Sequence, residues 1–159
     1  MLIIAGGQSG EEMKTRQDEF LDLHEIKAQI DRLAEQIGAR GFILPTYGDS
    51  EDFARPHIEV DSRGYHYVVV ERGRELERFT TNVLEELLYR VFKTIVSTLS
   101  YDYEVQHRVQ GQDCRRIAFT KQLELLEVLS PTWASRRSEE NARILEEHPF
   151  NDLKPATHV

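Results

Sequence analysis

The chain has 159 residues, with 20 lysines and arginines against 28 aspartates and glutamates, which gives a net charge of −8. That length suits one domain with its own core, so we expect a single domain over residues 1–159, with loose termini at 1–17 and 151–159. An acidic chain is a poor candidate for non-specific nucleic-acid binding, which depends on neutralising phosphates, and for docking on anionic membranes. Its one cysteine, Cys114, can form no internal disulfide, so a cytoplasmic setting is expected.

The first predicted element is a helix that begins near Asp18 and stops at Gly38 and Gly41, since glycine is typical of a helix end. Apolar side chains recur there at three- and four-residue steps, as on one face of a helix. They are Leu23, Ile26, Ile30, Leu33, Ala34 and Ile37. The short apolar run 42–44, which Pro45 ends, predicts a strand or an extended segment packed on the core.

Strand patterns follow in three stretches. Residues 57–60 alternate between polar and apolar, residues 65–72 are rich in aromatic and β-branched types, and residues 75–80 alternate again. The segment 61–64 and Gly73 are typical of tight turns between them. The sequence therefore predicts a small antiparallel meander of about three strands.

A wide apolar stripe indicates a central helix after the strands. Asn82 followed by Glu85 matches a capping box, and Gly111 breaks the helical run. The stripe predicts a helix buried on more than one side, and Tyr101, Tyr103 and Val105 continue it. Its members are Val83, Leu84, Leu87, Leu88, Val91, Phe92, Ile95, Val96 and Leu99.

Two more helices complete the predicted chain. Asp113 can cap the first of them, and Ser130-Pro131 begins the second, with proline at its first position. Trp133 is expected to be a core anchor, and Pro149 ends the last helix. The predicted fold class is α+β: an N-terminal helix, the small meander, then three C-terminal helices.

The acidic excess is unevenly placed. Residues 1–61 hold six basic and 13 acidic side chains, a net charge of −7, and residues 62–159 hold a net charge of −1. Such asymmetry suits a face that meets a basic partner, although a solvated surface is the simpler interpretation. Tyr65 and Tyr67, two residues apart on a strand, are expected to face the core.

Motifs for catalysis and metal binding fail on inspection. The pair His24-Glu25 begins a zinc-protease helix pattern, but position 28, where the second histidine would stand, is Ala28. The six histidines are scattered and the cysteine stands alone, so no spacing of metal ligands is present. We therefore predict no catalytic residue, no metal and no cofactor.

One charged cluster, residues 108–116, joins two of the predicted helices. Arg115 and Arg116 would lie in the first turn of a helix, where a cation is electrostatically disfavoured, so a carboxylate partner is expected. The candidates for that partner are Asp102, Glu104 and Asp113. Together Arg108, Asp113, Arg115 and Arg116 predict either an internal ion-pair network or an anion site, and we favour the network. His107 is a conceivable acid–base group, but no second group accompanies it.

An ordered series of residues resembles a known protein family. The series runs through Phe79-Thr80-Thr81, Leu84 to Tyr89, Val91-Phe92, Tyr103-Glu104, Arg108, Gly111 to Arg116, Phe119, Lys121-Gln122, Leu125-Leu126, Trp133, Ile144-Leu145 and His148 to Asp152. Over roughly residues 58–152 it is similar to the sixty-third numbered immunity protein family of bacterial polymorphic toxin systems. No single short motif carries the likeness.

The resemblance implies an immunity protein that binds and neutralises the toxic domain of a cognate toxin, with no enzymatic activity. A nuclease with a basic cleft is the kind of toxin that an acidic surface fits. The candidate toxin contacts are Tyr47, Asp49, Glu51, Asp52, Phe53, Glu59 and Asp61. Two alternatives stay open: a small-molecule or phosphate-binding domain that uses Arg108, Arg115, Arg116 and His107, and a general protein-interaction module. The sequence does not indicate an oligomeric state.

Overall fold

The computed structural model describes residues 20–153. The segments 1–17 and 154–159, predicted to be loose, lie outside the described residues. The α+β class is confirmed. The helices are α1 (Leu23–Gln36), α2 (Leu84–Gln106), α3 (Cys114–Leu129) and α4 (Pro131–Glu147), and the strands are β1 (Thr46–Tyr47), β2 (His57–Asp61), β3 (Gly64–Glu71) and β4 (Arg74–Thr81). Within the described part of the chain, no helix combines the length and apolar character needed to cross a membrane.

The sheet has four strands in the order β1-β2-β3-β4, so the predicted count of about three was wrong. The pairs β2–β3 and β3–β4 are antiparallel, but β1 runs parallel to β2, and the sheet is mixed. Strand β1 has only two residues, too few to show an alternation of polar and apolar side chains. It forms because Thr46 N–H donates to the carbonyl of Pro56 and Gly48 N–H to that of Ile58.

The region before the meander also differs from the prediction. Helix α1 begins at Leu23 rather than near Asp18, because Asp22 caps it in a reciprocal box with Glu25. The run 42–44 is neither strand nor extended segment at its start, since Gly41–Ile43 forms a 3-10 turn. That turn and β1 lie between α1 and the meander, so the order of elements is not the predicted one.

The predicted capping box at the start of α2 was also wrong. Val83 is the N-cap and has no side-chain bond to the helix, and Thr81 Oγ1 accepts the Val83 N–H instead. The Glu85 carboxylate accepts a 2.6 Å hydrogen bond from Trp133 Nε1. Glu85 therefore forms a tertiary hydrogen bond to Trp133 instead of the local capping bond that the sequence pattern predicts.

Helix α2 is the centre of the core, and its predicted burial on more than one side is confirmed. Strands β3 and β4 lie against it, as does α3. Trp133 of α4, which is buried as expected, stacks on Phe92 with ring centroids 5.8 Å apart. Tyr67 is buried as expected and bonds to Thr94 of α2 through its hydroxyl at 3.1 Å. Tyr65, also buried, packs edge-on against Phe20.

The seam between α3 and α4 is closed by polar side chains. Gln122 is fully buried, and its Oε1 accepts a 2.9 Å hydrogen bond from Arg137 Nε and a longer one from Asn141. Arg137 also pairs with Glu140, which bonds to Lys93 of α2. Because these charges are paired, the two helices can bury them beside apolar residues such as Leu126 and Ala134.

The β2–β3 turn generates the first testable prediction. Gly64 has a φ of +127°, and a Cβ at this position would lie 2.4 Å from the Thr81 carbonyl oxygen of β4. Gly64→Ala should therefore lower the free energy of unfolding by about 2–3 kcal/mol, because backbone must move to admit the methyl group. Chemical denaturation measures the change.

Gly73→Ala is the matched control. Gly73 also has a positive φ, +69°, but a methyl group added there would have no atom within 4 Å of it. The control variant should lower the free energy of unfolding by only about 1 kcal/mol, because the positive φ is then the one unfavourable contribution. Equal losses for the two variants would contradict the close approach of β3 and β4.

Candidate functional site

The arginine cluster that the sequence singled out forms an internal network at the α2–α3 junction. Asp113 caps α3 by accepting the Arg115 N–H at 2.9 Å, as predicted. The same carboxylate accepts from Arg115 Nε and Nη2 at 3.0 and 2.7 Å. Arg115 also donates to the carbonyls of His148 and Pro149, at 2.7 and 2.9 Å. Arg115, held in place by the cap residue Asp113, therefore fastens the end of α4 to the start of α3.

The chain after α4 is held at the same junction. Asn151 N–H donates to Asp113, and Asp152 accepts a two-point contact from Arg116 with a shortest distance of 2.7 Å. Leu153 N–H then donates to the carbonyl of Gly111 at 2.8 Å. Residues 151–153, which open the segment predicted to be a loose tail, are thus bound to the body of the domain.

Each arginine of the cluster has its own carboxylate partner. Arg108 pairs with Glu104, whose side chain is buried, at 2.8 Å. Asp113 partners Arg115, whereas the partner of Arg116 is Asp152, which was not among the expected carboxylates. Hydrogen bonds from these guanidinium groups hold the pKa values of the three carboxyl groups below their usual range. The network interpretation is the one that this pairing supports.

The arginines do not converge on one open pocket. A surface groove of about 580 Å³ lies between the end of α2, α3 and Phe150, but of the three arginines only Arg116 lines it. His107 also lines the groove, yet its ring stacks on Tyr103 and its Nδ1 bonds to the Tyr103 carbonyl oxygen at 2.8 Å. Among residues 20–153, no group of three or more His, Cys, Asp or Glu side chains is placed to hold a metal ion.

The predicted partner-facing acids near β1 lie on one loop, residues 49–55, which we call the acidic loop. Glu51 pairs with Arg55 at 3.0 Å, and Asp52 Oδ1 accepts the Gly73 N–H of the β3–β4 turn at 2.7 Å. Asp49 is exposed and forms no ion pair with any residue of the described range. The loop thus carries three carboxylates against one arginine and is anchored to the turn beside Gly73.

Glu59 and Asp61 belong to another part of the surface. Glu59 bonds to His57 and Arg78, which hold its pKa below the usual range against the opposing effect of burial. Asp61 accepts hydrogen bonds from Arg63, which hold its pKa below the usual range, and His66 Nε2 lies 2.9 Å from its carboxylate. Asp61 pairs with the first residue of β3, whereas the acidic loop lies beside the last. About 23 Å therefore separates them along the strand at 3.3 Å per residue.

The two candidate aromatic residues, Tyr47 and Phe53, differ in their exposure. Tyr47 is half-buried against the core, and burial, with the nearby charge of Asp31, raises the pKa of its hydroxyl. Phe53, in contrast, is 86% exposed. Phe42, which the sequence placed in a core-packing run, is 85% exposed, whereas its neighbour Ile43 does pack against the core.

Phe42 and Phe53 line a second groove, of about 630 Å³, which we call the aromatic groove. Its walls include Tyr67 of β3 and Thr94 of α2, together with two arginines that lie over aromatic rings. Arg55 lies 5.3 Å from the Phe42 ring centroid, and Arg90 lies 5.1 Å from that of Tyr67. Sequence reasoning missed Phe42 and Arg90, because only the turn Gly41–Ile43 and the packing of α2 bring them beside the acidic loop.

The Asp113 network generates the second prediction. Asp113→Asn should lower the free energy of unfolding at pH 7 by about 1–2 kcal/mol, because two charge-assisted contacts with Arg115 are lost. The native pKa of Asp113 is depressed, so the stabilisation is complete above the unfolded-state pKa near 3.9 and falls as pH drops below it. The difference between wild type and variant should therefore shrink between pH 5 and pH 2.5.

Urea titrations across that pH range make the measurement. Asp102→Asn is the control, because Asp102 is exposed and has no ion-pair partner among residues 20–153. It should change stability by less than about 0.5 kcal/mol at either pH. A difference between wild type and Asp113→Asn that stays constant from pH 7 to pH 2.5 would contradict the network.

Comparison with known proteins places the fold in a family. The family model described as Immunity protein 63 matches residues 61–143, which run from the end of β2 into α4. Neither the curated proteins nor the solved structures contain a match to the chain. The matched range covers just over half of the sequence and includes the whole of α2 and α3. The chain belongs to the Immunity protein 63 family.

Proposed function

We propose that this protein neutralises the toxic domain of a cognate bacterial polymorphic toxin by forming a stoichiometric complex with it in the cytoplasm. It binds the toxin and catalyses no reaction. The observation that carries the proposal is the family match over residues 61–143. An immunity protein acts by occupying its toxin, so the function belongs to a surface rather than to a set of reacting groups.

The pairing of the arginine cluster supports an inhibitor over the alternative of a small-molecule or phosphate-binding domain. An anion site needs guanidinium groups that are free to bind the ligand. Arg108, Arg115 and Arg116 each already contact a carboxylate. A phosphate would have to displace these carboxylates and open the junction that they hold.

We propose the acidic loop as the first contact with the toxin. Asp49, Glu51, Asp52 and Phe53 share this loop, and Tyr47 lies just before it in β1. Glu59 and Asp61 are already paired with Arg78 and Arg63, which offset their charge, so we place them outside the direct contacts. A toxin with a basic cleft, such as a nuclease, is the partner that this charge distribution favours.

The function itself is tested with the toxic domain encoded beside the gene for this protein. Co-expression should restore growth to cells that make this domain, and the two purified chains should form a complex of fixed stoichiometry. Incubating the toxic domain with an excess of this protein should leave both chains chemically unchanged. Failure of either rescue or complex formation would overturn the proposal.

Charge reversal of the acidic loop is the third prediction. The triple variant Asp49→Lys, Glu51→Lys and Asp52→Lys should slow association with the toxic domain by roughly 10–100-fold at low salt, because it removes electrostatic attraction. The difference from wild type should diminish at high salt as charges are screened. Stopped-flow or surface-binding kinetics at two ionic strengths measure the change.

The control reverses three exposed carboxylates of α3 and α4, Glu127, Glu146 and Glu147, which form no ion pair within residues 20–153. It changes the net charge equally but leaves the acidic loop intact, so its effect on association should be smaller. Equal slowing by both variants would show that total charge alone matters. Unchanged binding by the loop variant at low salt would contradict the proposed contact.

A further inference from the structure

Two phenylalanines expose almost their whole side chains beside one groove. Phe42 is 85% and Phe53 is 86% exposed, more than any other large apolar residue described in the chain. Both line the aromatic groove. Scattered exposed apolar residues need no explanation, but two aromatic rings at the rim of one groove resemble the anchors of an interface.

The backbone holds Phe53 outward at a conformational cost. Asp52 and Ala54, on either side of it, have φ values of 59° and 57°, in the left-handed region that side chains other than glycine rarely adopt. The segment is nonetheless fixed at both positions. Asp52 N–H donates to Ser50 Oγ and Ala54 N–H donates to the carbonyl of Val70. The exposed ring is thus presented by a constrained segment.

One arginine joins the two aromatic segments. Arg55 Nε donates to the Leu44 carbonyl at 2.8 Å, and its guanidinium lies against the Phe42 ring. It also pairs with Glu51 of the acidic loop. The turn that carries Phe42 and the loop that carries Phe53 are therefore held together before any partner arrives, which reduces the entropy cost of binding.

The charges around the aromatic groove indicate what kind of partner segment fits it. Its two arginines, Arg55 and Arg90, are paired with Glu51 and Glu77, so they do not give the groove a free positive charge. Asp49 on the acidic loop lacks an ion-pair partner among the described residues. The surroundings thus favour a partner segment that is apolar where it meets the rings and basic where it meets the loop.

We infer that the aromatic groove is the energetic centre of the toxin interface: Phe42 and Phe53 clamp an apolar side chain from a loop of the toxic domain, and a basic residue beside that side chain meets Asp49. This inference rests on the proposed function and deepens it. The acidic loop governs how fast the two proteins meet, whereas the two rings govern how long they stay together.

Alanine replacement of both rings tests the inference. The double variant Phe42→Ala, Phe53→Ala should bind the toxic domain about 100-fold more weakly, with the change in the dissociation rate and little change in the association rate. Each single variant should give part of that loss. Because both side chains are exposed, the thermal midpoint of the free protein should be unchanged.

The control is the double variant Val105→Ala, Val128→Ala, which removes two exposed apolar side chains of α2 and α3 outside the groove. It should bind as tightly as wild type. If wild type binds and the ring variant binds equally tightly, the inference is wrong while the proposed function stands. If wild type itself does not bind the toxic domain, both are overturned.

The oligomeric state separates the toxin from a second copy of this chain as the occupant. Light scattering of the free protein should show the same mass for wild type and for the ring variant. A wild-type dimer that the ring replacements dissociate would assign the groove to self-association and overturn the inference.

Discussion

The burial of α2 on more than one side is the constraint on which the other elements depend. Strands β3 and β4 pack on this helix, as do α3 and Trp133 of α4. Its buried residues include Leu87, Phe92 and Ile95, and burying each such side chain contributes about 1.5–3 kcal/mol. Because α2 is shared by both layers, the sheet and the C-terminal helices form one core. The family match covers this helix together with β3, β4 and α3, whereas Ile26, Ile30 and Ala34 of α1 contribute to the same core from outside the matched range.

Two kinds of charge follow from that architecture. At the α2–α3 junction, the charged side chains pair with one another. Asp113 and Asp152 hold Arg115 and Arg116, and these pairs bind the chain after α4 to the domain. At the opposite end of β3 from Asp61, the acidic loop carries the exposed ring of Phe53 and Asp49, a carboxylate with no ion-pair partner within residues 20–153. The first arrangement stabilises the fold, and the second belongs to the surface that we propose for the toxin. Charged clusters that look alike in sequence therefore differ in function according to whether their partners lie within the chain.

The sequence predicted what depends on local pattern. The α+β class, the cap Asp113, the helix start at Ser130-Pro131, the inward-facing Tyr65 and Tyr67 and the buried residues of α2 from Leu87 to Val96 all follow from periodicity or from a residue's own backbone contacts. What it missed depends on distant neighbours. Strand β1 exists only through pairing with β2, and Glu85 serves Trp133 instead of a cap. In the candidate site, Phe53 and the acidic loop were predicted. Phe42 was assigned to the core, because a run of three apolar residues does not show which of them a 3-10 turn will expose.

We propose that the toxin binds at the aromatic groove and the acidic loop while the arginine junction remains an internal structure. Amide hydrogen exchange of this protein, free and saturated with the toxic domain, tests it most directly. Binding at the groove predicts new protection over residues 41–55 and at the β3–β4 turn around Gly73, with unchanged exchange over residues 108–116 and 148–153. Protection confined to the arginine junction, with exchange at the acidic loop unaltered, would contradict the claim.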